Sequence, residues 1–205
     1  MNPLNVIRNV IRRIMHVVAV GLNQLTGGKL TPNTVTIVGL LAHLPIAYLI
    51  ATRHNLKAAA LLAVFGLFDT LDGELARLQK RASPAGMLID ASTDRMKEVM
   101  LYTGAAYAIS VSSRPLMAAW AVVACGASLT VSYVKAKGET AVAKGNLSSS
   151  EVNRLFADGL MRFEVRMAML LLGLLSNSLL IAVVIISILS SLTAISRLIK
   201  ISRKI

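Results

Sequence analysis

The chain has 205 residues, 55% of them apolar and only 16% charged, with a mean hydropathy of +0.66. A soluble domain of this length would carry about 25% charged residues, so the polar surface needed to clothe a globule is missing. The apolar fraction excludes disorder, the single Cys125 excludes a disulfide-stapled scaffold, and 22 Lys and Arg against 10 Asp and Glu leave a formal charge of +12. This is the composition of an all-α integral membrane protein.

Residues 1–30 are expected to form a cytoplasmic, interfacial amphipathic helix. Leu4, Ile7, Ile11, Ile14 and Val18 recur every three or four positions, with Arg8, Arg12 and Arg13 on the other side. Such a helix lies in the headgroup layer with its cations against anionic lipid; the alternative is a helix packed on a soluble partner. Its arginines are spread along it and no small-residue cleavage site follows, unlike a signal peptide.

Residues 31–205 read as one six-helix transmembrane domain. Thr31-Pro32-Asn33 is a helix start, with Thr31 capping and Pro32 at the first helical position. A span needs about 20 mostly apolar residues. The stretches 33–52, 58–77, 87–111, 115–132, 163–175 and 179–198 answer to that, the fifth being short. Terse linkers make neighbouring spans antiparallel. The one long connection, 138–161, is polar, with a helix start expected at Ser150.

Charge sets the orientation. Arg53, Lys57 and Arg114 are the only basic residues at the turns after odd-numbered spans, and the other 19 of the 22 fall on the opposite side. The positive-inside rule then places both termini in the cytoplasm, the chain being a multi-pass protein of the cell membrane. The charge does not indicate nucleic acid: no soluble basic domain or aromatic stacking surface exists, and Trp120 falls inside a span. His16, His43 and His54 lack metal-ligand spacing and read as packing or surface residues.

The acids sit in the wrong solvent. Asp69, Asp72 and Glu74 end the second apolar run, and Asp90 and Asp94 open the third. A carboxylate at a helix centre costs about 2.5–3.5 kcal/mol on insertion scales, less toward the interface, so four aspartates at one depth need compensation. At 100° per residue, Asp69, Asp72, Gly73, Ala76 and Arg77 fall within about 140° of one helix face. Asp90 and Asp94 lie one turn apart, with Gly86 one turn earlier. Four hard oxygen ligands favour Mg²⁺ or Mn²⁺, and two such ions would cancel the charge. The other readings are buried ion pairs with Arg77, Arg95 and Lys97, or a cation or proton path, although a path should continue across the bilayer.

A second cluster is basic. Ser132 and Lys135 share a face at the end of span four, Arg162 and Arg166 open span five, and Arg197 closes span six. Together Ser132, Lys135, Arg162 and Arg197 suit an anionic acceptor such as a phosphorylated polyol. The alternative is cations that snorkel to headgroups.

Residues 69–94 fit D-x2-D-G-x2-A-R-x8-G-x3-D-x3-D without a departure. The pattern resembles that of the CDP-alcohol phosphotransferase family. The resemblance implies transfer of a phosphatidyl-type group from a CDP-linked lipid to an alcohol, with release of CMP at the cytoplasmic face. It implies that Asp69, Asp72, Asp90 and Asp94 hold metal, that Asp94 is also the general base, and that Gly73, Ala76, Arg77 and Gly86 surround the CDP group. The stretch Ser132-Tyr133-Val134-Lys135-Ala136-Lys137, with Arg162 and Arg197, is similar to the inositol-phosphate pocket of the phosphatidylinositol-phosphate synthase branch. Departures at Met161-Arg162-Phe163-Glu164-Val165 and at Ser196 leave glycerol 3-phosphate as the rival acceptor. Small residues such as Gly104 and Gly126, with family habit, imply a homodimer.

Overall fold

A computed structural model describes residues 3–142 and 161–203, and all regular structure among them is helical. The helices are α1 (Pro3–Leu25), α2 (Pro32–Ala51), α3 (Asn55–Phe65), α4 (Phe68–Leu78), α5 (Pro84–Ser110), α6 (Ala119–Val142, entered through a 3-10 turn at Pro115–Ala118), α7 (Phe163–Leu175) and α8 (Leu179–Ser202). Among the described residues, three segments are long and apolar enough to cross a membrane: Pro32–Ala51, Pro115–Ala141 and Leu179–Ser202.

The start of α2 is the one expected, for the Thr34 N–H donates to Thr31 Oγ1 (3.2 Å) ahead of Pro32. The second apolar run, expected as one helix over 58–77, is instead two helices of 11 residues each. They part at Gly66-Leu67, where a Cβ on Gly66 would sit 2.8 Å from the Leu62 carbonyl oxygen. The break divides the run by chemistry, apolar α3 on one side and acidic α4 on the other. A second difference is at Gly138, where a connection was expected to begin; α6 continues to Val142. The helix start expected at Ser150 lies outside the described residues.

The chain folds as two compact units, Met1–Ile46 with Ala60–Met100 and Ala47–Ala59 with Leu101–Ile205. In the first, α1 packs on α4. Met15, Ala19, Val35, Leu71 and Leu75 form the seam, with Ile11, Leu22, Leu30, Leu67 and Phe68 against it. The α1 stripe read from the sequence is therefore divided. Of that stripe Ile11 turns into the seam while Ile14 and Val18 stay exposed, as do Val10, Val17 and Leu25, which the stripe did not include. Gln79 Nε2 ties the end of α4 to Asn23 Oδ1 and the Leu30 carbonyl, both at 2.8 Å.

In the second unit, α8 packs on α6 and on α7. Ala121, Ala124 and Ser128 of α6 and Ala182, Ser187, Ser190 and Ala194 of α8 are buried small residues, which let helix backbones approach. Gly173 of α7 is required by that closeness, since a Cβ there would collide with the Cβ of Ala182. Tyr102 of α5 and Ser128 of α6 share a hydrogen bond of 3.2 Å between hydroxyls.

Candidate active site

The acidic residues gather within the first unit. α4 carries Asp69 in its first turn, where a carboxylate complements the helix dipole, and Asp72 three residues on. α5 starts at Pro84, and Ser83 Oγ accepts the Gly86 N–H at 3.1 Å, so a serine cap with proline at the first helical position sets the phase of the helix that carries Asp90 and Asp94. Carboxylate oxygens of Asp69, Asp72 and Asp90 lie within 4.8 Å of one another.

Each of the three has a distinct setting. Asp72 is buried, and Thr36 Oγ1 on α2 donates to its Oδ2 at 2.5 Å. Asp69 is half-buried and accepts from the Lys97 ammonium. Asp90 Oδ1 is buried and has no hydrogen-bond partner among the described residues. A buried carboxylate oxygen left without a partner is costly in a finished polar network, and here it stands beside two further carboxylates. All the donors are hard oxygens, with no His or Cys in the group. The set therefore fits Mg²⁺ or Mn²⁺ better than zinc.

Asp94, one turn past Asp90, stands outside the group of three. Its Oδ1 accepts from Lys97 Nζ at 3.4 Å and its Oδ2 from Arg95 at 3.5 Å. Of the cations considered as partners for the aspartates, Lys97 and Arg95 take that part. Arg77 does not: it pairs at 2.6 Å with Glu74, three residues back.

Glu74, absent from the sequence-derived site, is 6% exposed and is the junction between α1 and α4. It accepts from Arg12 Nε at 3.2 Å and lies 3.3 Å from His16 Nδ1. Arg12 and His16 flank the buried side of α1, which is why they reach it. Gly73 leaves open the space beside Arg77, whose guanidinium a Cβ would meet at 3.6 Å. Around Gly86 the nearest atoms are Ser83 Oγ and Asn33 Oδ1, at 3.4 and 3.7 Å from a Cβ built there. Ala76 is half-buried on the same helix face.

The basic residues belong to the second unit. Ser132 Oγ donates to the Ser128 carbonyl at 3.2 Å, and the exposed Lys135 lies 3.8 Å from Glu139. Arg162 is exposed at the N-cap of α7. Arg166, one turn later, is 1% exposed, and its Nη1 donates to the Met161 carbonyl at 2.6 Å. Arg197 is also buried, with Nη1 donating to the Val131 carbonyl at 3.3 Å, and both Arg166 and Arg162 contribute to the electrostatic field it feels. Arg166 was not among the sequence-derived acceptor residues. The signal was present: Arg166, Leu170 and Leu174 recur at i, i+4 and i+8, the buried stripe of α7.

A family model described as CDP-alcohol phosphatidyltransferase matches residues 29–199. The chain belongs to this family. Similar members include the phosphatidylinositol phosphate synthase of Corynebacterium glutamicum, 35% identical over 114 residues, which are 54% of this chain and 52% of that protein. The archaetidylinositol phosphate synthase of Pyrococcus horikoshii is 30% identical over 170 residues, 82% of this chain and 81% of that one. The match thus spans about half the length of the Corynebacterium protein but most of the Pyrococcus protein. The crystal structure of Mycobacterium tuberculosis phosphatidylinositol phosphate synthase with CDP-DAG bound has a TM-score of 0.78 to this chain at 25% identity, covering 92% of this chain and 94% of that one. The matched residues include the aspartates of α4 and α5 described above.

Proposed function

We propose that this CDP-alcohol phosphatidyltransferase moves a phosphatidyl-type group from a CDP-linked lipid to a hydroxyl of inositol phosphate, releasing CMP. The observation that carries the reading is the gathering of Asp69, Asp72 and Asp90 at the motif positions, with a buried oxygen on Asp90 that has no partner among the described residues. The names of the relatives support the acceptor.

Asp69, Asp72 and Asp90 would hold Mg²⁺ or Mn²⁺, two ions with help from Asp94. When bound, the metal neutralises the charge that develops on the pyrophosphate as CMP departs. Thr36 keeps Asp72 in one orientation. Arg77, steadied by Glu74, binds the donor phosphates, and Gly73, Ala76 and Gly86 leave room for the CDP group. Asp94 takes the proton of the attacking hydroxyl as its oxygen bonds to the lipid-side phosphorus and the bond from that phosphorus to the CMP oxygen breaks. Ser132, Lys135, Arg162 and Arg197, joined by Arg166, bind the acceptor phosphate by charge-assisted hydrogen bonds.

The membrane arrangement follows the same reading. α2, α3 with α4, α5, the 3-10 turn with α6, α7 and α8 make six spans in the cell membrane, with both termini and the site on the cytoplasmic side. Three of the six are long and apolar enough by themselves. The exposed apolar line Val10, Ile14, Val17 and Leu25 supports α1 as a helix lying in the headgroup layer. Two copies of the chain form the working unit.

The test is purified protein with CDP-diacylglycerol, Mg²⁺ and radiolabelled inositol phosphate. CMP and a labelled lipid are expected together. Lipid labelled only from glycerol 3-phosphate would replace the acceptor, and metal flux in proteoliposomes with no CMP release from any alcohol would overturn the reading.

A further inference from the structure

Lys97 is where a lysine is expensive. It lies on α5 with 1% of its surface exposed, its charge withdrawn from water. Its ammonium bonds Asp69 on α4 and, at 3.4 Å, Asp94 on its own helix. Of the other nearby cations, Arg77 pairs with Glu74, and Arg95 pairs closely with Glu98 at 2.5 Å while reaching Asp94 only at 3.5 Å. Lys97 is not one of the eight motif positions. It nonetheless joins one of the three gathered carboxylates to the proposed base.

We infer that Lys97 is a built-in counter-ion of the metal site: it positions Asp69 and Asp94 and holds down the affinity of the site for divalent cation. The inference rests on the metal reading given above. Removing the lysine has two opposed effects. The lost hydrogen bonds leave Asp69 and Asp94 less well placed, which weakens metal binding. The lost positive charge ends its repulsion of a divalent ion, which strengthens binding. A divalent ion feels twice the force of a monovalent one across a few ångströms of poorly screening interior, whereas a single hydrogen bond contributes little net. The electrostatic effect therefore dominates. Tempered affinity suits a site that must bind and release a charged nucleotide in every turnover.

The experiment titrates Mn²⁺ into the full chain in nanodiscs, read by electron paramagnetic resonance, with melting temperatures in EDTA and in Mn²⁺. Lys97→Met and Lys97→Gln are expected to bind Mn²⁺ about tenfold more tightly than wild type and to melt lower in EDTA, with the loss recovered by Mn²⁺. Lys97→Arg, which keeps the charge, is expected to stay near wild type in both. A variant that folds only when Mn²⁺ is present also supports the inference. Unchanged or weaker Mn²⁺ binding in Lys97→Met and Lys97→Gln, or instability that Mn²⁺ does not repair, overturns it while leaving the metal reading intact. If wild type itself takes up no Mn²⁺, the metal reading fails and the inference with it.

Discussion

Asp94 is flanked by two cations, whereas Asp72 is held by a hydroxyl from another helix. The two should fail differently. Asp94→Asn is expected to lower CMP release by about 10²–10⁴-fold while Mn²⁺ binding persists, because the three gathered carboxylates remain. Thr36→Val removes the group that orients Asp72 and is expected to raise the Mg²⁺ concentration for half-maximal rate by about 10–100-fold, with little change in the rate at saturation. Arg166→Ala should raise the KM for the acceptor more than Arg162→Ala does, since Arg166 is buried, as Arg197 is, and Arg162 is exposed. At this scale the sequence was legible where residues share a helix. The spacing of Asp69, Asp72, Asp90 and Asp94 already put them on two faces. Thr36 lies 36 residues from Asp72, and Arg12 lies 62 residues from Glu74. Contacts between such distant positions leave no periodic trace.

Among the elements, caps were readable and breaks were not. Thr31-Pro32 marked the start of α2 because a capping hydroxyl and a proline act locally. Gly66 gives no break signal in the sequence, because one glycine in an apolar run does not by itself stop a helix; its meaning comes from the Leu62 carbonyl it must clear. Gly138 begins a polar stretch yet is helical, for polar composition alone does not end α6. The packing seams carry predictions of their own. Leu75, fully buried between α4 and α1, is expected to cost about 2–5 kcal/mol when cut to Ala, read as a lower melting temperature. Gly173→Val must push α7 off Ala182 and should cost about 1–3 kcal/mol by the same measurement.

For the molecule as a whole, the charge distribution is what supports the proposed orientation, and hydropathy marks three segments long and apolar enough to span. The other three expected spans stand out less, because α3 and α4 divide one run, α5 carries the acidic residues and α7 has only 13 residues. With Cys125 replaced, a membrane-impermeant thiol reagent should label Arg53→Cys in intact cells and leave Arg203→Cys untouched until the membrane is opened. The reverse pattern would invert the proposed topology. The break at Gly66 has a wider consequence. It leaves the acid-bearing α4 as a stub of three turns, too brief to anchor itself in hydrocarbon, and its brace is α1, clipped on by Glu74 and the leucine seam. If α1 floats among the headgroups as proposed, lipid packing at the surface becomes part of what steadies the acidic site, and harsh delipidation should abolish the proposed CMP release before any span unravels.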